Sequence, residues 1–296
     1  MTVPRGSVNG RAIVALMVVV GLAACGAETG QGGTAFQTTI QNKGSDTIVN
    51  LALAWAEAYG QIHPEVLIAV TGGGSGTGIA ALINGTVDMA NASRQITADE
   101  RAEAEANGVN PVEHVVALDA IAVVVHPSNP VNGLTIPQLS DIFSGKITNW
   151  QEVGGENRPI VLLSRESNSG THVFFLEQVV RQGRKDDKTL FSPDTLLMPS
   201  SEGISAEVRQ NPNAIGYDGL GYVTKDQKVV AVAPAESQPY VLPAINTVKD
   251  GSYPIARDLY IYTNGQPQGA ILAYLDWIVG PEGQAIVKQL GFVPLQ

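Results

Sequence analysis

The chain has 296 residues, 44% of them hydrophobic and 16% charged, enough to bury the cores of two domains and too apolar for a disordered segment. Its 18 basic and 28 acidic side chains give a net charge of −10. That acidity argues against nucleic acid and anionic lipid as partners, because both reward clustered Lys and Arg, so any anion has to be captured by a local site.

Arg5 and Arg11 precede an apolar run, Ala12–Ala24, which is too short for a comfortable membrane span. A basic start, a short apolar stretch and small residues before a cleavage point predict a signal peptide over residues 1–24. Its removal takes away two basic residues and no acids, leaving 16 basic against 28 acidic side chains, near −12. The sole cysteine, Cys25, excludes an intramolecular disulfide. Placed directly after Leu22-Ala23-Ala24, it resembles the lipobox of bacterial lipoproteins, which implies acylation of Cys25 and a membrane anchor. The polar, glycine-rich stretch Gly26–Ala35 reads as the rest of a flexible tether over residues 25–35, with the folded body starting near Phe36.

Beyond the tether, short apolar runs alternate with helical periods. Thr38–Gln41 and Val66–Val70 read as strands; Ile48, Leu51, Ala52, Trp55, Tyr59 and Ile62 share one helix face between them. Val87–Ala90 is a third strand, Thr97–Asn107 a charged helix, and Val115–Val125 a long apolar strand closed by His126-Pro127. Ile160–Leu163 is a strand leading to a hydrophobic helix, Val173–Val180. Leu259–Tyr262 is a last strand, followed by helical segments on either side of Gly280-Pro281. Strands alternating with helices predict an α/β sheet.

Four loops that follow predicted strands have one character: Lys43–Thr47 (KGSDT), Thr71–Gly78 (TGGGSGTG), Asn91–Arg94 (NASR) and Ser164–His172 (SRESNSGTH). The first, second and fourth open helices, where unpaired backbone N–H groups, small hydroxyls and the helix dipole make an anion site. The second is not a Walker A loop, since no Gly-Lys-Ser/Thr follows; taken singly it reads equally as a glycine-rich turn with an N-cap. The fourth adds Arg165, a planar donor fork suited to tetrahedral oxyanions. In the first, Asp46 is an acceptor between the donors Ser45 and Thr47, and taken singly it is as readily an Asp at a helix cap. A buried carboxylate beside an anion repels it unless the anion carries a proton to donate. Hydrogen phosphate does at neutral pH, and sulfate does not.

With these loops the chain resembles the substrate-binding lipoproteins of bacterial phosphate ABC importers, over about Ile40–Leu295. Leu134–Gly155 and Asn213–Val223 carry the likeness further. The resemblance implies a type II periplasmic-binding-protein fold, two α/β lobes joined by a two-stranded hinge: residues 36–121 plus 259–296 in one, 122–258 in the other. It implies phosphate-binding roles for Ser45, Thr47, Ser75, Gly76, Arg165, Ser169, Gly170 and Thr171. Some members carry Ser-Asp after the third strand, the Asp accepting the phosphate proton, where this chain has Ser93-Arg94. The acceptor role is therefore expected of Asp46, and Arg94 is either a second clamp or the partner that keeps Asp46 ionised. The implied partners are inorganic phosphate and a permease with ATPase subunits, for a lipid-anchored extracytoplasmic monomer without metal or cofactor.

Two other classes compete with this reading. A receptor for sulfate, molybdate or tungstate would use the same loops without needing a proton acceptor. A secreted phosphatase or serine hydrolase would need a base, and His172 lies beside Ser169 and Thr171, but sequence neighbours at a helix start rarely face each other. His63, His114 and His126 lack metal-ligand spacing, and Asp119 and Asp218 are explained by local turn or hinge hydrogen bonds.

Overall fold

The computed structural model describes residues 1–2 and 38–295; the expected signal peptide, Cys25 and the tether lie outside the described residues. In chain order the elements are β1 (Thr38–Gly44), α1 (Asp46–Ile62), β2 (Val66–Thr71), α2 (Ser75–Ile83), β3 (Met89–Ala92), α3 (Ala98–Ala106) and the long β4 (Pro111–Val125). There follow β5 (Gly133–Thr135), α4 (Ile136–Phe143), β6 (Val161–Arg165), α5 (Gly170–Phe175), β7 (Leu196–Met198), α6 (Ser201–Gln210), β8 (Ala214–Gly219) and β9 (Lys228–Ala233). The chain closes with α7 (Ile245–Lys249), β10 (Ala256–Asn264), α8 (Gly269–Val279) and α9 (Pro281–Gln289). This is the α/β alternation expected from the sequence.

The strands run β2-β1-β3-β10-β4-β8-β6-β7. β1, β2 and β3 are parallel to one another, and so are β6, β7 and β8. Between the two parallel sets lies the antiparallel pair β4 and β10. β4 changes partners along its length: residues 111–120 pair with β10, whereas Ile121–Val125 pair with β8 on one edge and, from Val123, with β9 on the other. That double use explains its near-continuous apolar run, because its second half is covered on both faces and both edges.

Each parallel set has its own core. Around β1–β3, Ile40, Ile48, Leu51, Trp55, Tyr59, Leu259, Ile261 and Tyr274 pack together, and Trp55 Nε1 donates to Gly283 O at 2.9 Å, tying α1 to α9. The helix-face residues of α1 are buried as their spacing predicts, except Ile62, which at the last position is 57% exposed. The second core joins Val123, Phe143, Trp150, Phe175, Tyr217 and Val230. In it the Phe175 ring stacks on Tyr217 at 3.7 Å between centroids, a pairing worth about 0.5–1.5 kcal/mol beyond the area it buries. This contact seats the end of α5 against β8, and so fixes where α5 begins. The hydrophobic helix expected over Val173–Val180 starts earlier, at Gly170, and winds as a π-helix over Leu176–Val180.

Candidate functional site

In open α/β sheets ligands bind beyond the carboxyl ends of parallel strands. Here those ends are Gly44, Thr71 and Ala92 in one set and Arg165, Met198 and Gly219 in the other, and the four donor-rich loops sit at four of these six ends, those of β1, β2, β3 and β6. Gly44 allows the first turn: its φ is +145°, and a Cβ there would collide with Asn91 O. In its place Ser45 N donates to that carbonyl at 2.8 Å, bringing the first and third loops together.

Three buried serines meet as a result. Ser45 Oγ donates to Ser93 Oγ at 3.0 Å, Ser93 and Ser75 share a hydroxyl contact of 3.2 Å, and Ser93 N donates to Ser75 Oγ at 3.0 Å. Ser75 is the first residue of α2 and Ser45 the N-cap position of α1, so two helix N-termini face one cluster. From the other parallel set comes the start of α5. Ser169 caps it by accepting from Thr171 N at 3.2 Å, and Gly170 packs so closely that a Cβ would lie 2.6 Å from Ser93 Oγ and closer still to Ser75 Oγ. Thr171 Oγ1 lies 2.7 Å from Thr47 Oγ1. Gly76 N donates to Asn168 O at 3.1 Å, and Asn168 Nδ2 donates back to Gly73 O at 3.0 Å. The structure thus gathers Ser45, Thr47, Ser75, Gly76, Ser93, Gly170 and Thr171, with Ser169 as the cap.

The charged residues are placed differently. Arg165, 1% exposed, donates through Nη1 to Ser201 Oγ at 2.9 Å and through Nη2 to Pro199 O at 3.0 Å, while Nη2 also pairs with Asp46 Oδ2 at 3.0 Å. Asp46 Oδ2 accepts from Ser201 N as well, at 3.2 Å, so the carboxylate lies at the start of α6. Arg94 does not pair with Asp46, the alternative considered from the sequence: its guanidinium grips Glu100 through two bonds of 2.7 and 2.6 Å. Burial alone would raise Glu100, but the hydrogen bonds from Arg94 and from Thr97 hold it below the usual carboxylate value. Nη2 of Arg94 nonetheless lies beside Gly76, and among the described residues its buried Nε has no partner.

His172 does not face Ser169. Its Nδ1 lies 2.8 Å from Arg165 O and 3.0 Å from Ser164 Oγ, and burial lowers its pKa. Among the described residues no group of three or more His, Cys, Asp or Glu could hold a metal.

The sequence reading missed one cation. Arg257, on β10, is 6% exposed and stands opposite Asp119 of β4 in the strand register. Its Nη2 donates to Asp119 Oδ2 at 2.9 Å, to Thr171 Oγ1 at 2.9 Å and to Thr47 Oγ1 at 3.4 Å, and Nη1 donates to Ser93 O at 2.9 Å. The available signal was a pair of opposite charges, Asp119 within the apolar run Val115–Val125 and Arg257 just ahead of the apolar run Leu259–Tyr262. Asp218 is the second buried carboxylate. It accepts from Ser201 Oγ and Gly219 N, both at 2.8 Å, leaves Oδ2 unpartnered among the described residues, and is pushed up to about 7, by burial above all. A cleft of about 630 Å³ opens beside Arg257, lined also by Arg94, Phe174 and Arg181.

A family profile described as PBP superfamily domain matches residues 29–282. The phosphate-binding protein PstS of Pseudomonas aeruginosa is 33% identical over 273 residues, covering 86% of this chain and 83% of that protein. A Clostridium perfringens protein, described as a phosphate ABC transporter substrate-binding protein and crystallised with bound phosphate, superposes with a TM-score of 0.77 at 30% identity, over 87% of this chain and 100% of the other. An ABC-type phosphate transport receptor from Vibrio cholerae gives 0.68 at 28% identity, over 86% and 99%. A two-lobed architecture, a donor-lined junction between two parallel sets of strands and identity of this extent along most of both chains lead to one assignment: the chain belongs to the PBP superfamily and, within it, to the family of the phosphate-binding protein PstS.

Proposed function

We propose that the chain is an extracytoplasmic receptor that closes around one inorganic phosphate and delivers it to the permease and ATPase subunits of an ABC importer. The observation that carries this reading is the meeting of five hydroxyls, on Ser45, Thr47, Ser75, Ser93 and Thr171, with three helix starts. Small hydroxyls and backbone amides at helix N-termini favour a tetrahedral oxyanion without needing a basic surface, which suits a chain of net charge −10. The names of its relatives support the choice of phosphate.

The ligand set of this reading is Ser45, Thr47, Ser75, Gly76, Ser93, Ser169, Gly170 and Thr171, with Arg165 and Arg94 as cations. For Arg165 to reach the anion, one of its bonds to Ser201, Pro199 or Asp46 has to be exchanged. Asp46 takes the phosphate proton; its Oδ2 is engaged, which leaves Oδ1 for the purpose. Residues 36–121 with 259–296 form one lobe and 122–258 the other, so that β4 and β10 are the hinge strands and the anion bridges the lobes. In this reading the protein is a monomer, held to the membrane by lipid on Cys25, and it catalyses nothing, since His172 spends its Nδ1 on Arg165 O and Ser164.

Calorimetry of the chain lacking residues 1–24 tests the proposal. Phosphate at neutral pH is expected to bind one to one and sulfate not at all at the same concentrations. Equal affinity for the two anions would remove the proton-acceptor role of Asp46. Absence of phosphate binding together with hydrolysis of a chromogenic phosphate ester would replace the receptor by an enzyme.

A further inference from the structure

We propose that Arg257, held by Asp119 on the facing hinge strand, is the fixed cation of the anion cleft and orients the Thr47–Thr171 hydroxyl pair so that its one free proton is offered to the anion when the two halves meet. The proposal deepens the phosphate-receptor reading and rests on it.

Arg257 and Asp119 are cross-strand neighbours on β10 and β4, the antiparallel pair that joins the two parallel sets. Asp119 is fully buried and satisfied: Oδ2 accepts both Nη2 and Nε of Arg257, at 2.9 and 3.3 Å, and Oδ1 accepts Leu220 N at 3.2 Å. Gly219 makes room for it, since a Cβ there would sit 3.0 Å from Asp119 Oδ2 and 3.3 Å from Thr47 Cγ2. The Phe174 ring, 5.4 Å from the guanidinium carbon, covers the cation. A charge pinned in this way to the hinge stays in place whichever way the halves move.

The hydroxyls it meets come from opposite halves, Thr47 from α1 and Thr171 from α5, 124 residues apart. Both oxygens accept from Nη2, so each hydroxyl proton has to point away from the guanidinium. One proton makes the 2.7 Å bond between the threonines. The other remains a donor, next to Gly170 and the serine cluster, and Arg257 Nη1 meanwhile holds the Ser93 backbone through its carbonyl. Arg257 is therefore a positioning residue, acting through Thr47 and Thr171. Arg165, by contrast, is committed to Ser201, Pro199 and Asp46 at the far side of the junction.

A double-mutant cycle on phosphate binding tests this, with Arg257→Lys, Thr171→Val and the double variant measured by calorimetry. A lysine keeps the charge but cannot donate to Asp119, Ser93 O and two threonines from a single nitrogen. Each single variant is expected to bind phosphate roughly ten-fold more weakly or worse, the scale of a lost charge-assisted hydrogen bond. The double variant should be little weaker than the worse single one, and Thr171→Ser, which keeps the hydroxyl, should bind more tightly than Thr171→Val. Losses that multiply in the double variant, full affinity in Arg257→Lys, or Thr171→Ser binding no better than Thr171→Val each overturn the proposal. Should Arg257→Lys not fold, the charge-free pair Arg257→Gln with Asp119→Asn takes its place in the cycle, with the same outcomes. If the unaltered chain binds no phosphate, the receptor reading itself falls; if it binds and the losses multiply, only the role of Arg257 falls.

Discussion

Replacing Gly170 by alanine puts a methyl group into the tightest contact of the junction. The added carbon would lie 2.6 Å from Ser93 Oγ and nearer still to Ser75 Oγ, where carbon contacts normally settle at about 3.5 Å or more. Both hydroxyls are buried and bonded to each other, and Ser75 Oγ also accepts from Ser93 N, so neither can turn aside without losing a partner. Overpacking of this kind costs about 1–3 kcal/mol. With Gly170 in one proposed lobe and the two serines in the other, the cost falls on the closed arrangement alone. Phosphate binds that arrangement, so the whole penalty subtracts from affinity, a loss of roughly 5- to 150-fold at about 1.4 kcal/mol per decade. Helix α5 does not suffer, alanine being a better helix former than glycine. Calorimetric titration gives the affinity, and a melting curve without phosphate gives the background. The melting temperature is expected to move by no more than about 2 °C, the shift a few tenths of a kcal/mol would cause in a chain of this size. Unchanged affinity would refute the claim that Gly170 meets both serines when the anion is bound. A collapse of the melting temperature without phosphate would refute the claim that only the closed arrangement bears the cost.

Asp218 carries a pH prediction. Its pKa, about 7 against 3.8 for the exposed group, means that between those values the native protein holds a proton the unfolded chain has lost. Stability therefore declines as pH rises through that window, by up to about 4 kcal/mol. Asp218→Asn keeps the acceptor for Ser201 and Gly219 and should remove this part of the decline; identical pH slopes in urea unfolding at pH 5 and pH 8 would contradict it. Arg165→Ala leaves Asp46 without its cation and Ser201 Oγ without a donor, and should cost about 3–5 kcal/mol of stability, as breaking a buried pair does, with phosphate affinity down by at least about 1.5 kcal/mol if Arg165 also contacts the anion. A small loss of stability in urea unfolding would mean that the pair behaves as a surface one. Phe175→Ala should cost about 3–5 kcal/mol by removing the stack on Tyr217 that seats α5; a loss below about 1 kcal/mol would show that α5 is held by other contacts.

Most of the secondary structure was legible because its signals are short in range. The helix face from Ile48 to Tyr59 needs only its own spacing to declare which side is buried, and Ile62 escapes burial because it closes α1, where no core lies above it. The strand Val115–Val125 declares itself by being apolar but for Asp119, although its double pairing, with β10 and then with β8 and β9, is not visible in the run. The donor loops were legible for a similar reason: glycine, serine and threonine at the junction of a strand and a helix expose N–H and O–H groups wherever that junction ends up.

Which charges face which could not be read locally. Arg165 finds Asp46, 119 residues away, and the Met198–Ser201 turn; Arg94 finds Glu100 within its own segment; Arg257 reaches the threonines because strand register sets it opposite Asp119. A long, flexible cation can satisfy its donors in many directions, and a few tenths of a nanometre in the placement of a strand end decide among them. Composition and pattern thus determined the class of the fold and the kind of ligand its turns could hold. The packing of two parallel strand sets on one antiparallel pair decided which donors share a site and which arginine stands fixed at its base.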